Sequence, residues 1–340
     1  MTTDGDLPGV DLGRLTAWLD DAKPGLRAGE LRGEVVAGGK SNLTYRITDG
    51  TTTWALRRPP LAHVLPTAHD MVREFRVVNA LAPTDVAVPT AIALCDDTDV
   101  LGAPFYLMGF VDGVVLDKPD VLAALSTEDA GRSCRLLVDS LVALHDVDPA
   151  SVGLEDFGRP DGFLERQVRR WHKQWQASET RPLDVLGQVV ERLAATVPEQ
   201  SPSGIVHGDY RLTNVMFDHD IARIAAVVDW EMATLGDPLT DVGLLVVYQD
   251  LSATQALVMP EMTPERGFLT SDAMVERYAA ASSRDLGRFD WYVGLGYFKL
   301  AVVAEGIHHR YLAGKTVGEG FDHFGPAVPS LLELALERLG

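Results

Sequence analysis

Cysteine, positive charge and long apolar runs are all scarce in this chain. Its two cysteines, Cys95 and Cys134, fit no metal-ligand spacing and cannot build a disulfide framework. Lys and Arg number 30 against 49 Asp and Glu, for a formal net charge of −19. Binding a phosphate backbone needs a basic footprint, so no nucleic-acid partner is expected. The longest apolar stretches, such as the one around Leu244 to Tyr248, fall far short of the ~20 residues that span a bilayer, and no membrane partner is expected. Residues 1–11 carry acidic side chains and no apolar core of a secretory signal, so the default expectation is a cytoplasmic protein. Internal repeats and low-complexity segments are also missing.

What is present reads as an ordinary globular chain. Hydrophobic residues make up 46% and charged residues 23% of 340 positions, and a prior of ~150 residues per domain gives about two domains. Residues 12–22 have the spacing of a short amphipathic helix, stopped by Lys23-Pro24-Gly25. Strands are predicted at 34–37, 43–48 and 53–57, with Asp49-Gly50 as a hairpin turn. A helix is predicted over 67–82, with Val72, Phe75, Val78 and Leu81 on one face, and strands over 86–94 and 104–108. Past Gly113 the pattern turns helical: 127–146, 161–177, 183–197, and 271–340 with a break at 314–320. The fold class that follows is α+β in two lobes. An N-terminal sheet lobe over 1–110 meets a larger, mainly helical lobe over 111–340, with the hinge near 109–113.

One stretch concentrates the chemistry. Val206-His207-Gly208-Asp209-Tyr210-Arg211-Leu212-Thr213-Asn214 places an Asn five residues after an Asp, and Asp229 closes an apolar strand fifteen residues further on. Kinase chemistry needs such a set: one carboxylate to take the proton of an attacking hydroxyl, and an amide and a second carboxylate for the Mg²⁺ ions on the phosphates. The bland alternative is a buried His and a polar loop between strands. The segment resembles the Brenner motif of the aminoglycoside phosphotransferase and choline kinase superfamily, in which His-Gly-Asp stands where protein kinases carry His-Arg-Asp. The resemblance spans roughly residues 30–310. It implies a bilobal protein-kinase-like fold, ATP and Mg²⁺ as cofactors, a small-molecule hydroxyl acceptor, Asp209 as base, Asn214 and Asp229 as metal ligands, and His207 as organiser of the loop. ATP versus GTP and the oligomeric state stay open.

The same resemblance implies a phosphate-covering turn, a strand cation and a helix carboxylate upstream. Gly38-Gly39-Lys40-Ser41-Asn42 supplies the turn, with Gly39, Ser41 and Asn42 near the phosphates; an ordinary hairpin loop would read the same way. Ala55-Leu56-Arg57 keeps a small-x-cation period, with Arg57 where protein kinases carry Lys. Strand alternation turns Arg58 to the opposite face, unless the register slips by one. Glu74 is the expected partner of Arg57, or a solvated helix residue. Residues 105–111 resemble the strand and hinge under an adenine ring, with Met108 and Phe110 at the base, and fit a core strand and turn equally well. Asp241, just after the second motif, is expected to open a helix and brace the catalytic loop, or simply to cap that helix, so Asp237 and Asp241 are expected to be structural rather than catalytic. Glu231 could reach Mg²⁺ directly or through water.

On the acceptor side, Arg166, Arg169, Arg170 and Lys173 recur at helical spacing. Either Arg166 and Arg170 belong to an anion site, or this is a solvated face with Trp171 and Trp175 packing inward. Glu305 and His308 either line the acceptor cleft or sit on a surface helix. Gly39-x-Ser41-Asn42, the 166–175 segment and Glu305-Gly306 ahead of Arg310-Tyr311 resemble the kinase-like domain fused to some acyl-CoA dehydrogenases. That resemblance implies a hydroxylated acyl thioester or related acid as acceptor. An aminoglycoside kinase is an alternative, though no dense acidic cluster for a polycation is visible. A nucleotide-binding pseudokinase-like module and a metal-dependent hydrolase using His207 and Asp209 are the rivals from other classes.

Overall fold

A computed structural model of the chain describes residues 7–36, 42–61, 70–254, 261–316 and 320–340. These fall into two units, residues 1–113 with 225–231, and residues 114–224 with 232–340.

The first unit is built on the hairpin turn at Asp49-Gly50. Asp49 accepts from the N–H groups of Thr51 and Thr52 and from Ala28, and these bonds, led by that from Ala28, lower its pKa to about 2. Gly50 supplies the left-handed φ of 90° that the turn needs. The turn joins β2 (Leu43–Thr48) to β3 (Thr53–Arg58) in a five-stranded antiparallel sheet of order β1-β2-β3-β5-β4, with β1 (Arg32–Val35), β4 (Ala91–Cys95) and β5 (Phe105–Gly109). β1 thus sits two residues earlier than the predicted 34–37, the end of which lies outside the described residues. Residues 86–90 are not strand as expected. Pro89 has no N–H for a ladder, and β4 starts only at Ala91.

Side-chain alternation divides the sheet's faces. Trp54 and Leu56 pack with Tyr45, Ile47, Phe105 and Leu107 against Leu15 and Leu19 of α1 (Leu12–Ala22), while Ala55 joins Met71, Tyr106, Met108 and Phe75. The latter face belongs to α2 (Met71–Leu81), which starts where the Asp70 carboxylate caps the N–H of Arg73. Of the predicted helix face, Val78 and Leu81 are buried and Phe75 packs on Tyr106, while Val72 turns outward. Val72 is 43% exposed, and the inward residues are Met71, Glu74, Val77, Val78 and Leu81. A short helix α3 (Thr98–Leu101) completes the unit.

The second unit is helical: α4 (Pro119–Ala124), α5 (Thr127–Asp146), α6 (Phe163–Ser178), α7 (Asp184–Ala195), α8 (Leu239–Thr254), α9 (Ser271–Ala281), α10 (Phe289–Leu312) and α11 (Phe324–Leu339). Two small antiparallel pairings sit among them. β6 (Val114–Val115) runs beside β8 (Val215–Phe217), and β7 (Gly204–Val206) beside β10 (Thr234–Gly236). β9 (Ile224–Val227) carries the chain on into the 225–231 segment of the first unit, where the Val227 N–H donates to Ala87. α10 is buried on nearly every side from Trp291 to Ala304, and it can lie close to α8 because Gly243 has no side chain. A Cβ there would come within 2.6 Å of the Tyr292 carbonyl oxygen. Among the described residues no helix is long and apolar enough to cross a membrane.

Candidate active site

In the second unit, β7 delivers the chain to His207, which is fully buried, and the following turn is held from below by Asp241 in the first turn of α8. One oxygen of Asp241 accepts from the N–H of His207 at 2.6 Å, the other from that of Gly208 at 2.8 Å. Burial works against the Asp241 charge. The hydrogen bond from His145, the nearby imidazoles and the backbone N–H of Gly208 outweigh it, and the pKa lies below the ordinary carboxylate value. His145 is kept neutral by burial, which lowers its pKa. It bonds Asp241 through Nε2 (3.5 Å) and meets the Tyr278 hydroxyl at Nδ1 (2.8 Å). Asp237 accepts from Ser201, Leu239 and Tyr292, and so ties the start of α8 to the segment before β7 and to α10.

Gly208 takes a φ of 84°, and a Cβ on it would lie 2.7 Å from the Met232 carbonyl oxygen. Only glycine fits such a turn. It presents Asp209, both of whose carboxylate oxygens are engaged. Oδ1 accepts from the Tyr248 hydroxyl at 2.7 Å, and Oδ2 accepts from Asn214 Nδ2 at 3.1 Å with Arg211 Nε at 3.3 Å. The Asn214 amide also donates to the Asp209 carbonyl oxygen at 2.8 Å, tying the two ends of the motif together. The Arg211 guanidinium lies 5.2 Å over the Tyr248 ring. From α10, Lys299 donates to the Gly208 carbonyl oxygen and rests 5.3 Å over the Trp171 ring. A cavity of about 50 Å³ opens here, lined by Gly208, Asp241, Lys299, Trp171, Arg170 and Met232 among others.

In the first unit, β3 alternation points Arg57 toward α2. Its Nε lies 2.9 Å from Glu74 Oε1, and its other nitrogen donates to Asp229 Oδ1. Glu74 is 1% exposed, so the solvated reading of this residue is excluded. Burial pushes the Glu74 pKa up to about 7, against the pull of Arg57. Burial also opposes the Arg57 charge, but Glu74 and Asp229 together raise its pKa and keep it protonated. Arg58 turns the other way and donates to the carbonyls of Gly9 and Leu101. Asp229 itself is held at a φ of 67°, unusual for a residue with a side chain. The amide of Asn42 donates to Glu231 at 3.0 Å. Met108 is buried opposite Ala55, and Phe110 is 38% exposed with the Arg46 guanidinium 5.6 Å from its ring. Gly39 and Ser41 lie outside the described residues.

Three expected acceptor residues are placed otherwise. Arg166 folds back onto the carbonyl oxygens of Arg159 and Asp161, and closes the loop before α6 instead of pairing with Arg170. Glu305 is fully buried and accepts from the Thr180 N–H (2.8 Å) and hydroxyl (2.6 Å), with Arg181 at 3.4 Å, so it ties α10 to the segment after α6. His308 packs against Gly325, whose missing Cβ makes room for the imidazole. α10 therefore turns both residues onto protein partners. Arg170 does line the cavity and lies 5.4 Å over the Trp171 ring. Tyr248, Arg211 and Lys299 were not anticipated. Lys299 had a visible signal, as the single charge in the otherwise apolar stretch from Trp291 to Ala304.

Residues 32–292 match the model of the phosphotransferase enzyme family. Acyl-CoA dehydrogenase family member 10 of Mus musculus is 33% identical over 309 residues, which cover 87% of this chain and 28% of that protein. Acyl-CoA dehydrogenase family member 11 of Homo sapiens is 32% identical over 303 residues, 88% of this chain and 39% of that protein. The chain thus spans well under half the length of these relatives. Among solved structures, a candidate aminoglycoside phosphotransferase from Ralstonia eutropha JMP134 is 30% identical, with a TM-score of 0.83 over 97% of this chain and 98% of that one. Aminoglycoside phosphotransferase APH(4)-Ia, solved with AMP-PNP and hygromycin B, shares the fold at 16% identity, with a TM-score of 0.61 over 95% of this chain and 98% of that one. The α+β, kinase-like fold class expected from the sequence is that of these structures.

Proposed function

Since this chain belongs to the phosphotransferase enzyme family, we propose that it moves the γ-phosphate of ATP to a hydroxyl of a small anionic molecule, with Asp209 as the base. The observation that carries this reading is the Asp209 carboxylate, held on both oxygens by Tyr248, Asn214 and Arg211. A carboxylate fixed in this way orients a hydroxyl without reorganising in the reaction. The acceptor hydroxyl oxygen bonds to the γ-phosphorus as the bond from phosphorus to the β–γ bridging oxygen breaks. Its proton passes to Asp209, and ADP leaves with the bond's electron pair.

In the first unit, Arg57 steadies phosphate oxygens and Glu74 holds Arg57 in place. Asn42 lies at the phosphate end, and Met108 and Phe110 lie at the base end. Asp229 and the side-chain carbonyl of Asn214 offer the hard oxygens that suit Mg²⁺. A bound ion would neutralise charge on the triphosphate. Glu231, fixed by Asn42, is a further oxygen donor of the same kind.

Acceptor charge is read from the second unit. Arg211 lies 3.3 Å from Asp209, Lys299 feels both Asp209 and Asp241, and Arg170 lines the same cavity as Lys299, so the surroundings are rich in cations. Such surroundings favour a carboxylate, phosphate or thioester-linked acid over a polycation. The likeness to acyl-CoA dehydrogenase family members supports a hydroxyacyl compound. The test is transfer of labelled γ-phosphate to a panel of hydroxy acids, hydroxyacyl-CoA thioesters and aminoglycosides. Asp209→Asn is expected to lower kcat by about 10²- to 10⁴-fold while ATP still binds. Full turnover in that variant, or labelling of aminoglycosides alone, would refute the base or the acceptor class respectively.

A further inference from the structure

The peptide plane joining Gly208 to Asp209 is gripped at both ends. Its N–H, on Asp209, donates to His207 Nδ1 at 3.2 Å, and its carbonyl oxygen accepts from Lys299 Nζ. The preceding plane is held by the bond from the Gly208 N–H to Asp241. Glycine at a φ of 84° has neither a side chain nor a narrow conformational well to fix the plane that follows it. Rotation of that plane would swing Asp209 away from the position set by Tyr248 and Asn214. A neutral donor or a water would satisfy the carbonyl at less cost than a half-buried ammonium on an otherwise apolar helix. The ammonium is nevertheless there, seated on Trp171, with Asp209 and Asp241 attracting it and Arg170 and Arg211 opposing it.

We propose that Lys299 is a positioning residue for the reaction, fixing the base Asp209 through the Gly208 carbonyl. The proposal rests on the reading of Asp209 as base. Lys299 touches no reacting atom, so its loss acts on the geometry of the base and leaves nucleotide affinity alone. The cavity beside it also gives a small ammonium ion room to take its place once the side chain is cut back.

The experiment is Mg²⁺-dependent ATP hydrolysis by the full chain, with water standing in for the acceptor. Lys299→Met is expected to lower kcat by about 10- to 100-fold, and to leave KM for ATP within about twofold. Lys299→Ala should lose as much and regain activity with ethyl- or propylammonium, but not with the alcohols of matching size. Lys299→Arg keeps the charge and should retain turnover, and it serves if the shorter variants do not fold. Burial lowers the Lys299 pKa, so the wild-type rate should fall on the alkaline side before the ordinary lysine range. That limb should move to higher pH in Lys299→Arg, in surroundings that also include Asp209, Asp241, Arg170, Arg211 and Tyr292. Wild-type kcat in Lys299→Met, equal rescue by alcohols, or an unmoved limb in Lys299→Arg would each overturn the proposal. Hydrolysis surviving in Asp209→Asn would instead sink the reading of Asp209 itself, whatever the Lys299 variants do.

Discussion

Asp241→Ala is the sharpest probe of the catalytic loop. The Asp241 carboxylate is 1% exposed and accepts from two backbone N–H groups and from His145. Truncation orphans both N–H groups in a buried place, at about 1–3 kcal/mol each. The two together come to about 2–6 kcal/mol, and the long 3.5 Å bond from His145 adds little, so about 3–6 kcal/mol is the range to look for. For a unit of this size that is a fall in Tm of roughly 6–20 °C, read by differential scanning calorimetry. Asp241→Asn should recover only part of it. Its carbonyl can accept one of the two N–H groups, while its own NH₂ faces the other donor. The pH dependence carries a second check. Asp241 has a lowered pKa in the folded state, so the stability it contributes is present above the unfolded carboxylate pKa. That stability is lost as pH falls through the folded value. The acid-side loss in the wild type should therefore be steeper than in Asp241→Asn. A Tm within about 2 °C of wild type for Asp241→Ala, or identical acid limbs, would refute the reasoning.

Arg57→Met leaves Glu74 buried without its cation and should cost about 3–5 kcal/mol in chemical denaturation, whereas Arg57→Met with Glu74→Leu should recover most of that loss; a double variant as unstable as the single one would show that the pair is not what was lost. Tyr248→Phe removes one donor from Asp209 Oδ1, and is expected to lower kcat several-fold in the hydrolysis assay while changing stability by only about 1 kcal/mol. An unchanged kcat there would mean that Asn214 and Arg211 suffice to hold the carboxylate. Glu305→Ala should lower the thermal midpoint by breaking the Thr180 tie and leave KM for any acceptor unchanged, and a selective rise in that KM would restore Glu305 to the acceptor site.

The sheet of the first unit was legible because β2, β3 and β5 alternate and Asp49-Gly50 fixes the hairpin. The same alternation decided Arg57 against Arg58. Helix α5 was legible to the residue, since its apolar period is long and Ser126 caps it. On α2 the inward place of Glu74 was not, because the face reads as apolar while Val72 is exposed and the charged Glu74 is buried. Periodicity counts hydrophobicity and cannot know that a strand cation waits opposite. Asp209, Asn214 and His207 were expected together, and do meet, because they are close in sequence and joined by short loops. Tyr248 and Lys299 come from α8 and α10, so their arrival beside Asp209 depends on helix packing that no local spacing encodes. The protein contacts of Glu305 and Arg166 were hidden for the same reason. Polar residues on helices look alike in sequence whether they face a ligand or tie two segments together.

The backbone at Asp229 sits in a region that a side chain tolerates poorly, at a cost of order 1–3 kcal/mol for most residue types. Asn would bear the geometry nearly as well, and Gly better still, yet neither carries the negative charge that Arg57 meets there. Firmness and chemistry thus ask for different residues at one position. In a library of this protein sorted only for heat resistance, Asp229→Gly would relieve the backbone just past β9 but leave Arg57 short of a partner, so the two effects oppose each other.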